Sequence, residues 1–347
     1  SAGDVNYGSN SYVYFTVLST DPLVSSSWQS FYKAAGNATV LITTFEQKKS
    51  SVANPSYLDL GIAEARFIRG VAYFDIARTF GDAPIVSDPV ALAGSGNYNV
   101  PKYLQKDVLR FALEDFKAAE AALPDDPYQP GRVTKYSAKG MEAKLYLYRA
   151  SMLSNPADYD SAKMKAKEVI DYATSSGKIG LYPDYAKMFT SSTANNNQES
   201  LFALQWTAPA TYGGGNPLQI YQAPSTLLKP VSGNGYSSVI PSLDLLAAYE
   251  PDDKRKGWSV MQQGFTRKDW TNVNFPNGFV YDTTYNSSSD DPYKFKSGTR
   301  TNILKYVVGT GSNGEPVAST GHTSICTYIL RYADVLLIYA EAVAGSS

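Results

Sequence analysis

Residues 64–84 read EARFIRGVAYFDIARTFGDAP, and this stretch decides the fold. Ala65, Ile68, Ala72, Ile76 and Phe80 recur at helical spacing, which predicts an amphipathic helix with a seam of small and apolar residues. Small residues along such a seam let a second helix come close. Upstream, Asn54-Pro55 offers an N-cap with proline at the first helical position, where its missing N–H has no intrahelical partner to lose. Downstream, Gly81 suits the left-handed residue that closes a helix, and Pro84 cannot continue it.

Working outward, the neighbouring segments carry the same signature. Trp28, Phe31, Tyr32, Ala35, Ala38, Thr39 and Ile42 share one helical face over 27–48, with Ser25, Ser26 or Ser27 as the expected cap. Residues 82–101 read as a Gly/Pro/Ser/Asn-rich connection. A helix follows over 101–123, with Leu104, Val108, Phe111, Ala112, Phe116, Ala119 and Leu123 inward. Three prolines over 124–132 exclude a helix there. Thr134 caps the next helix, where Ala138, Met141, Leu145 and Tyr148 share a face. Another runs over 158–175, with Ala162, Ala166, Val169, Ile170 and Ala173 inward and Gly177 as its stop. Helix pairs joined by short turns with small residues at the seams point to tetratricopeptide-like stacking, although the spacing is too irregular to define a repeat.

Beyond residue 182 the texture changes. Residues 199–206, ESLFALQW, alternate as a short strand, and 209–320 are rich in Gly, Asn, Ser, Thr, Pro and aromatics around one helical island at 241–249. The chain returns to a helical pattern at 329–344, ILRYADVLLIYAEAVA, with Ala333, Leu336, Leu337, Ala340 and Glu341 on one face. The expected architecture is mainly α: a tetratricopeptide-like scaffold from 1–200 and 322–347, and a loop-rich, irregular lobe from 201–321.

Composition narrows the function. The 347 residues carry 31 Lys and Arg against 32 Asp and Glu, so no field favours nucleic acid or an anionic membrane surface. Cys326 and His322 are the only residues of their kinds, which removes disulfides, thiolate clusters and most zinc sites. No cofactor is expected, for the chain has no phosphate loop, no Rossmann fingerprint and no GxSxG elbow. The acidic pairs Asp125-Asp126, Asp252-Asp253 and Asp290-Asp291 sit in Pro- or Ser-rich turns, where adjacent carboxylates are ordinarily solvated. Catalysis is therefore not expected. Asp290 and Asp291, flanked by Ser and Asn oxygens, are the one Ca²⁺ candidate, without a twelve-residue loop pattern behind them. No segment reaches the roughly 18 apolar residues of a transmembrane helix, and the start SAGDVNYG reads as mature or trimmed.

The unusual feature is 27 Tyr beside 14 Phe and 4 Trp. Aromatic faces match the C–H patches of sugar rings, and Asn, Asp or Arg nearby match their hydroxyls.

Two long motifs, EARFIRGVAYFDIARTFGDAPIV and RYADVLLIYAEA, resemble signatures of the SusD/RagB family, the surface nutrient-binding lipoproteins of Bacteroidetes glycan-uptake systems. Weaker similarities lie in order around and between them: Trp28, Tyr32 and Asn37; GRVTKYSAKGMEAKLYLY at 131–148; and SLDLLAAYEPDDKR at 242–255, where Lys254 between Asp253 and Arg255 departs from the family's DPR-like turn. The resemblance implies a non-enzymatic glycan-binding protein on the extracellular face of the outer membrane. It would be held there by a lipid anchor absent from this chain and would deliver its ligand to a TonB-dependent, SusC-like transporter. Relatives normally continue past the last helix, so a fragment of a longer protein is expected. Alternatives within the fold are peptide capture for a RagA-like transporter, or a protein-only scaffold.

In this family the glycan surface is built by loops from two regions, with residues that vary between members. Here those regions hold Asn10, Tyr12 and Tyr14, and then Tyr212, Tyr236, Trp270 and Tyr285, with Tyr221, Trp258 and Tyr281 among the further aromatics. Trp270, between Asp269 and Asn272, is the leading candidate, while Trp206 reads as core.

Overall fold

The structure is a computed structural model that describes residues 11, 15–96, 98–207, 213–224, 235–271, 275–282, 301–309 and 317–346. The described residues of Leu18–Leu181, Gln198–Phe202 and Ile329–Ser347 form a helical unit; those of Ser1–Val17, Tyr182–Asn197 and Ala203–Tyr328 form a loop-rich unit. The protein is mainly α, as expected.

In the helical unit, α1 (Pro22–Lys48) packs on α2 (Ser56–Phe80), α2 on α4 (Gln105–Ala122), α4 on α5 (Lys135–Met152), α5 on α6 (Ala157–Ser176), and α6 on α10 (Tyr332–Gly345). Each helix meets chiefly the next, which is the logic of a stacked array. Between α2 and α4 the chain forms β1 (Ala83–Pro84), the short α3 (Pro89–Ser95) and β2 (Lys102–Tyr103), with β1 antiparallel to β2. The supposed connection at 82–101 is therefore partly ordered: Asp88 accepts from Val90 N and Ala91 N to cap α3, and Gly96 closes it at φ 66°.

The opening stretch is α2, which buries more than one stripe. Ile62, Ala63, Phe67, Tyr73, Phe74 and Ala77 are buried beside Ala65, Ala72 and Ile76, whereas Ile68 is exposed. At Gly70 a Cβ would sit 2.9 Å from the Phe116 ring and 3.1 Å from the Ala112 carbonyl oxygen, so α4 approaches as closely as the small-residue seam implied. Asn54 Oδ1 accepts from Ser56 N at 3.1 Å, and Gly81 ends the helix at φ 74°, donating its N–H to Ala77 O.

Other boundaries moved. Asp21 rather than a serine caps α1, accepting from Leu23 N with Pro22 at the first position. Leu104 lies outside α4 and is exposed. Thr134 and Ser137 form a capping box at α5, and Gly177 ends α6 at φ 66°. The 329–344 segment is not all helix: β8 (Thr327–Arg331) pairs with β3 (Ser200–Leu204) before α10 begins. Its inward face is Tyr332, Val335, Ile338 and Ala342, one step from the expected set, and it leaves Leu337 69% exposed.

In the loop-rich unit, α7 (Leu218–Gln222), α8 (Leu243–Ala248) and α9 (Lys256–Ser259) are single turns or little more. Strand β4 (Val260–Met261) pairs with β7 (Asn302–Ile303), and β5 (Thr266–Arg267) with β6 (Phe279–Val280). Ladders this short satisfy few backbone groups, and buried amides take their place. Asn302 accepts from Tyr281 OH at 2.8 Å and donates to Gln222 O and Ser237 Oγ. Gln219 donates to Gly309 O and accepts from Val308 N, and Asn216 donates to Ile325 O. These amides surround a second core of Ile220, Ala223, Met261, Trp270, Phe279, Tyr281, Leu304 and Val307. Residues 182–197 belong with this unit, not with the scaffold: Tyr306 N donates to Phe189 O, and Phe189 meets the rings of Tyr306 and Tyr328.

Candidate functional site

The sequence candidates separate sharply. Trp270 is 1% exposed, against Phe265 and Phe279. The Arg267 guanidinium covers its ring at 4.7 Å, and a Cβ on Gly309 would come within 2.9 Å of the indole. It cannot stack on a ligand, and its selection as the leading contact is corrected. The polar neighbour that recommended it is engaged elsewhere, since Asp269 accepts from Arg267 Nε at 2.9 Å and from its terminal nitrogen at 2.7 Å. That guanidinium holds the Asp269 carboxyl below the usual carboxylate range. Tyr281 is also fully buried. Asn10, Tyr12, Tyr14, Tyr212, Tyr285, Asp290 and Asp291 lie outside the described residues.

Tyr236 remains. It is 41% exposed, and its ring lies 6.0 Å from that of Tyr221, itself 40% exposed, at 55°. The backbone fixes the pair: Tyr236 N donates to Ile220 O at 2.7 Å and Ser238 N to Tyr221 O at 2.8 Å. Main-chain bonds thus place two half-exposed rings side by side, tilted at 55°.

Trp258, at the end of α9, is the exposed tryptophan of this unit, at 42%. It lines a cavity of about 560 Å³ with Asp184, Lys187, Thr190, Ser191, Thr193 and Arg267. The wall opposite in chain order is a pair of 3₁₀ turns, Lys187–Phe189 and Ser192–Ala194. Ser191 Oγ and Thr193 Oγ1 lie 2.7 Å apart, Ser191 Oγ accepts from Thr193 N, and Thr190 Oγ1 donates to Ala186 O. Asn195 anchors this wall, donating to Ser324 O and accepting from Cys326 N. The cavity thus combines one aromatic face, three hydroxyls, a carboxylate and two cations, the chemistry that recognises a polyhydroxylated ring. Sequence reading overlooked the 184–193 wall. Its one signal was the polar run Thr190-Ser191-Ser192-Thr193, which by composition reads as an ordinary loop.

The motif charges lie elsewhere and are structural. Arg69 donates to both Asp115 oxygens, at 2.7 and 2.8 Å, Arg66 reaches the same carboxylate at 3.3 Å, and Glu64 pairs with Arg132. Asp253 and Arg255 pair through three side-chain hydrogen bonds across Lys254, so that turn's ion pair is intact. Among the described residues, no group of three or more His, Cys, Asp or Glu could hold a metal, and no helix is long and apolar enough to cross a membrane.

The described residues thus comprise a unit of stacked helices and a loop-rich unit with exposed aromatic side chains. Residues 198–347 match the family model described as "SusD family", and 5–147 match "Starch-binding associating with outer membrane". A SusD-like protein of Bacteroides ovatus is 31% identical over 97% of this chain, and SusD-like protein P2 of Formosa agariphila 27% over 96%. The chain spans 58% and 62% of those two proteins. A protein crystallised with a xylogluco-oligosaccharide shares 28% identity at a TM-score of 0.82, over 99% of this chain and 64% of that one. A laminarin-binding SusD-like protein shares the fold at a TM-score of 0.75 and 22% identity, over 100% and 72%. This chain belongs to the SusD/RagB family.

Proposed function

We propose that the protein binds glycan chains, without cleaving them, on the surface of its loop-rich unit. It would hand them to a TonB-dependent, SusC-like transporter from the extracellular face of the outer membrane, with a lipid anchor holding the full-length protein. The observation that carries this reading is the Trp258 cavity, where an exposed indole lines the same hollow as three hydroxyl side chains and charged hydrogen-bonding groups. The Tyr221–Tyr236 face adds a second contact of the same chemistry. The relative crystallised with a xylogluco-oligosaccharide and the outer-membrane description of the family model support the ligand class and the setting.

Affinity at each face should be modest, because such interfaces are small and wet. The carboxylates in and beside this cavity each lie next to a cation, Asp184 by Lys187 at 3.6 Å, Asp253 by Arg255 and Asp269 by Arg267, which suits hydrogen bonding to hydroxyls better than general acid catalysis. Affinity electrophoresis of the full-length protein against a polysaccharide panel tests the reading: retardation by at least one glycan, reduced in Trp258→Ala and Tyr236→Ala, is expected. Transporter delivery is tested separately, by whether a TonB-dependent transporter co-purifies from outer membranes.

A further inference from the structure

A second, smaller cavity of about 240 Å³ lies in the same unit, lined by Tyr185, Leu245, Tyr249, Asp253, Arg255 and Lys305 among others. Asp184 of the larger cavity and Tyr185 of the smaller are consecutive, as are Trp258 and Ser259. Adjacent Cα atoms are about 3.8 Å apart, so residues lining the two cavities are chain neighbours at two places.

The smaller cavity has a distinct electrostatic character. Its carboxylate, Asp253, is taken up by Arg255 at 2.6 Å. Lys305 has no carboxylate partner among the described residues; its ammonium instead lies over the rings of Phe189 and Tyr185, at 4.6 and 5.2 Å. Aromatic faces stabilise a cation without neutralising it, and they leave its outward side able to donate charge-assisted hydrogen bonds. The turn that presents it is held firmly, with Tyr306 at φ 65° and its N–H bonded to Phe189 O.

We infer that the smaller cavity is a subsite for an anionic sugar unit, a uronate carboxylate or a sulfate ester, received by Lys305 while a neighbouring ring stacks on Trp258. This rests on the glycan-binding reading and specifies the ligand within it. Calorimetric titration of the full-length protein separates the two, using oligogalacturonate, a sulfated galactan oligosaccharide and a neutral cello-oligosaccharide as probes. An anionic probe should bind more tightly than the neutral one, with affinity falling as salt rises. Lys305→Met should cost about tenfold for the anionic probe and leave the neutral one unchanged, and Lys305→Arg should restore binding. Whichever of the two anionic probes binds identifies carboxylate or sulfate. If neutral and anionic probes bind equally, or Lys305→Met leaves both unchanged while Trp258→Ala weakens them, the anionic subsite is refuted and glycan binding stands. Absence of binding to every glycan overturns both.

Discussion

Asp115 is 2% exposed and receives two arginines, one of which, Arg69, is itself buried and also contacts Thr39 Oγ1. Removing the carboxylate strands a guanidinium in the α1–α2–α4 core, so Asp115→Ala should destabilise the helical unit by roughly 3–5 kcal/mol in thermal or chemical denaturation. Trp270 sets a comparable test in the other core. Its replacement by Ala opens a void beneath Arg267 and beside Gly309 and should cost about 3–5 kcal/mol. A Trp270→Ala protein with unchanged stability would contradict this packing. The two tryptophans also show what sequence could not reveal. Polar neighbours favoured Trp270, but Asp269 is bound to Arg267, and the indole lies beneath that pair. Trp258 stands within KRKGWSV with no comparable mark and is the one left exposed.

At the scale of elements, the helices were legible because their signals are local: the Gly81 and Gly177 stops and the Thr134 cap act within one turn. Positions fixed by distant partners were not legible, including the strand–helix break at Arg331, where pairing with β3 overrides a helical pattern. The same dependence on distant partners appears where α4, α5 and α6 meet. Glu142 is fully buried, 3.6 Å from Lys165, with neither carboxyl oxygen in ordinary hydrogen-bonding geometry. Burial first, and then the neighbouring Glu120, push its carboxyl up to about 9. Glu120, held by Lys165 at 2.5 Å and Lys139 at 3.4 Å, is shifted down despite its own burial. Glu142 is therefore protonated when folded and ionised when unfolded across neutral pH. Its contribution is full below about 4.5 and is lost as pH rises towards 9. Melting temperatures followed from pH 6 to 9 should fall for the native protein and stay flatter for Glu142→Gln, which cannot ionise. Parallel curves would show that Glu142 ionises freely in the fold.

For the whole molecule, the division of labour follows from what each unit can hold rigid. Stacked helices satisfy their own backbones and bury Arg69 of the motif against Asp115, whereas the loop-rich unit relies on Asn216, Gln219 and Asn302 to fix segments without long ladders. Loops held this way can vary at their exposed tips while the frame persists, which is why the family was readable from the helices and the proposed glycan contacts were not. The fold is legible in residues 64–84, whereas the proposed glycan contacts Tyr221, Tyr236 and Trp258 lie in segments with no such signature. Calorimetric titration of the full-length protein with a panel of neutral and anionic oligosaccharides, repeated with Trp258→Ala, tests this most directly. Glycan capture at the loop-rich unit requires binding to at least one such chain, weakened about tenfold or more by Trp258→Ala at unchanged melting temperature. Binding that survives Trp258→Ala undiminished, or no binding to any glycan, would contradict it.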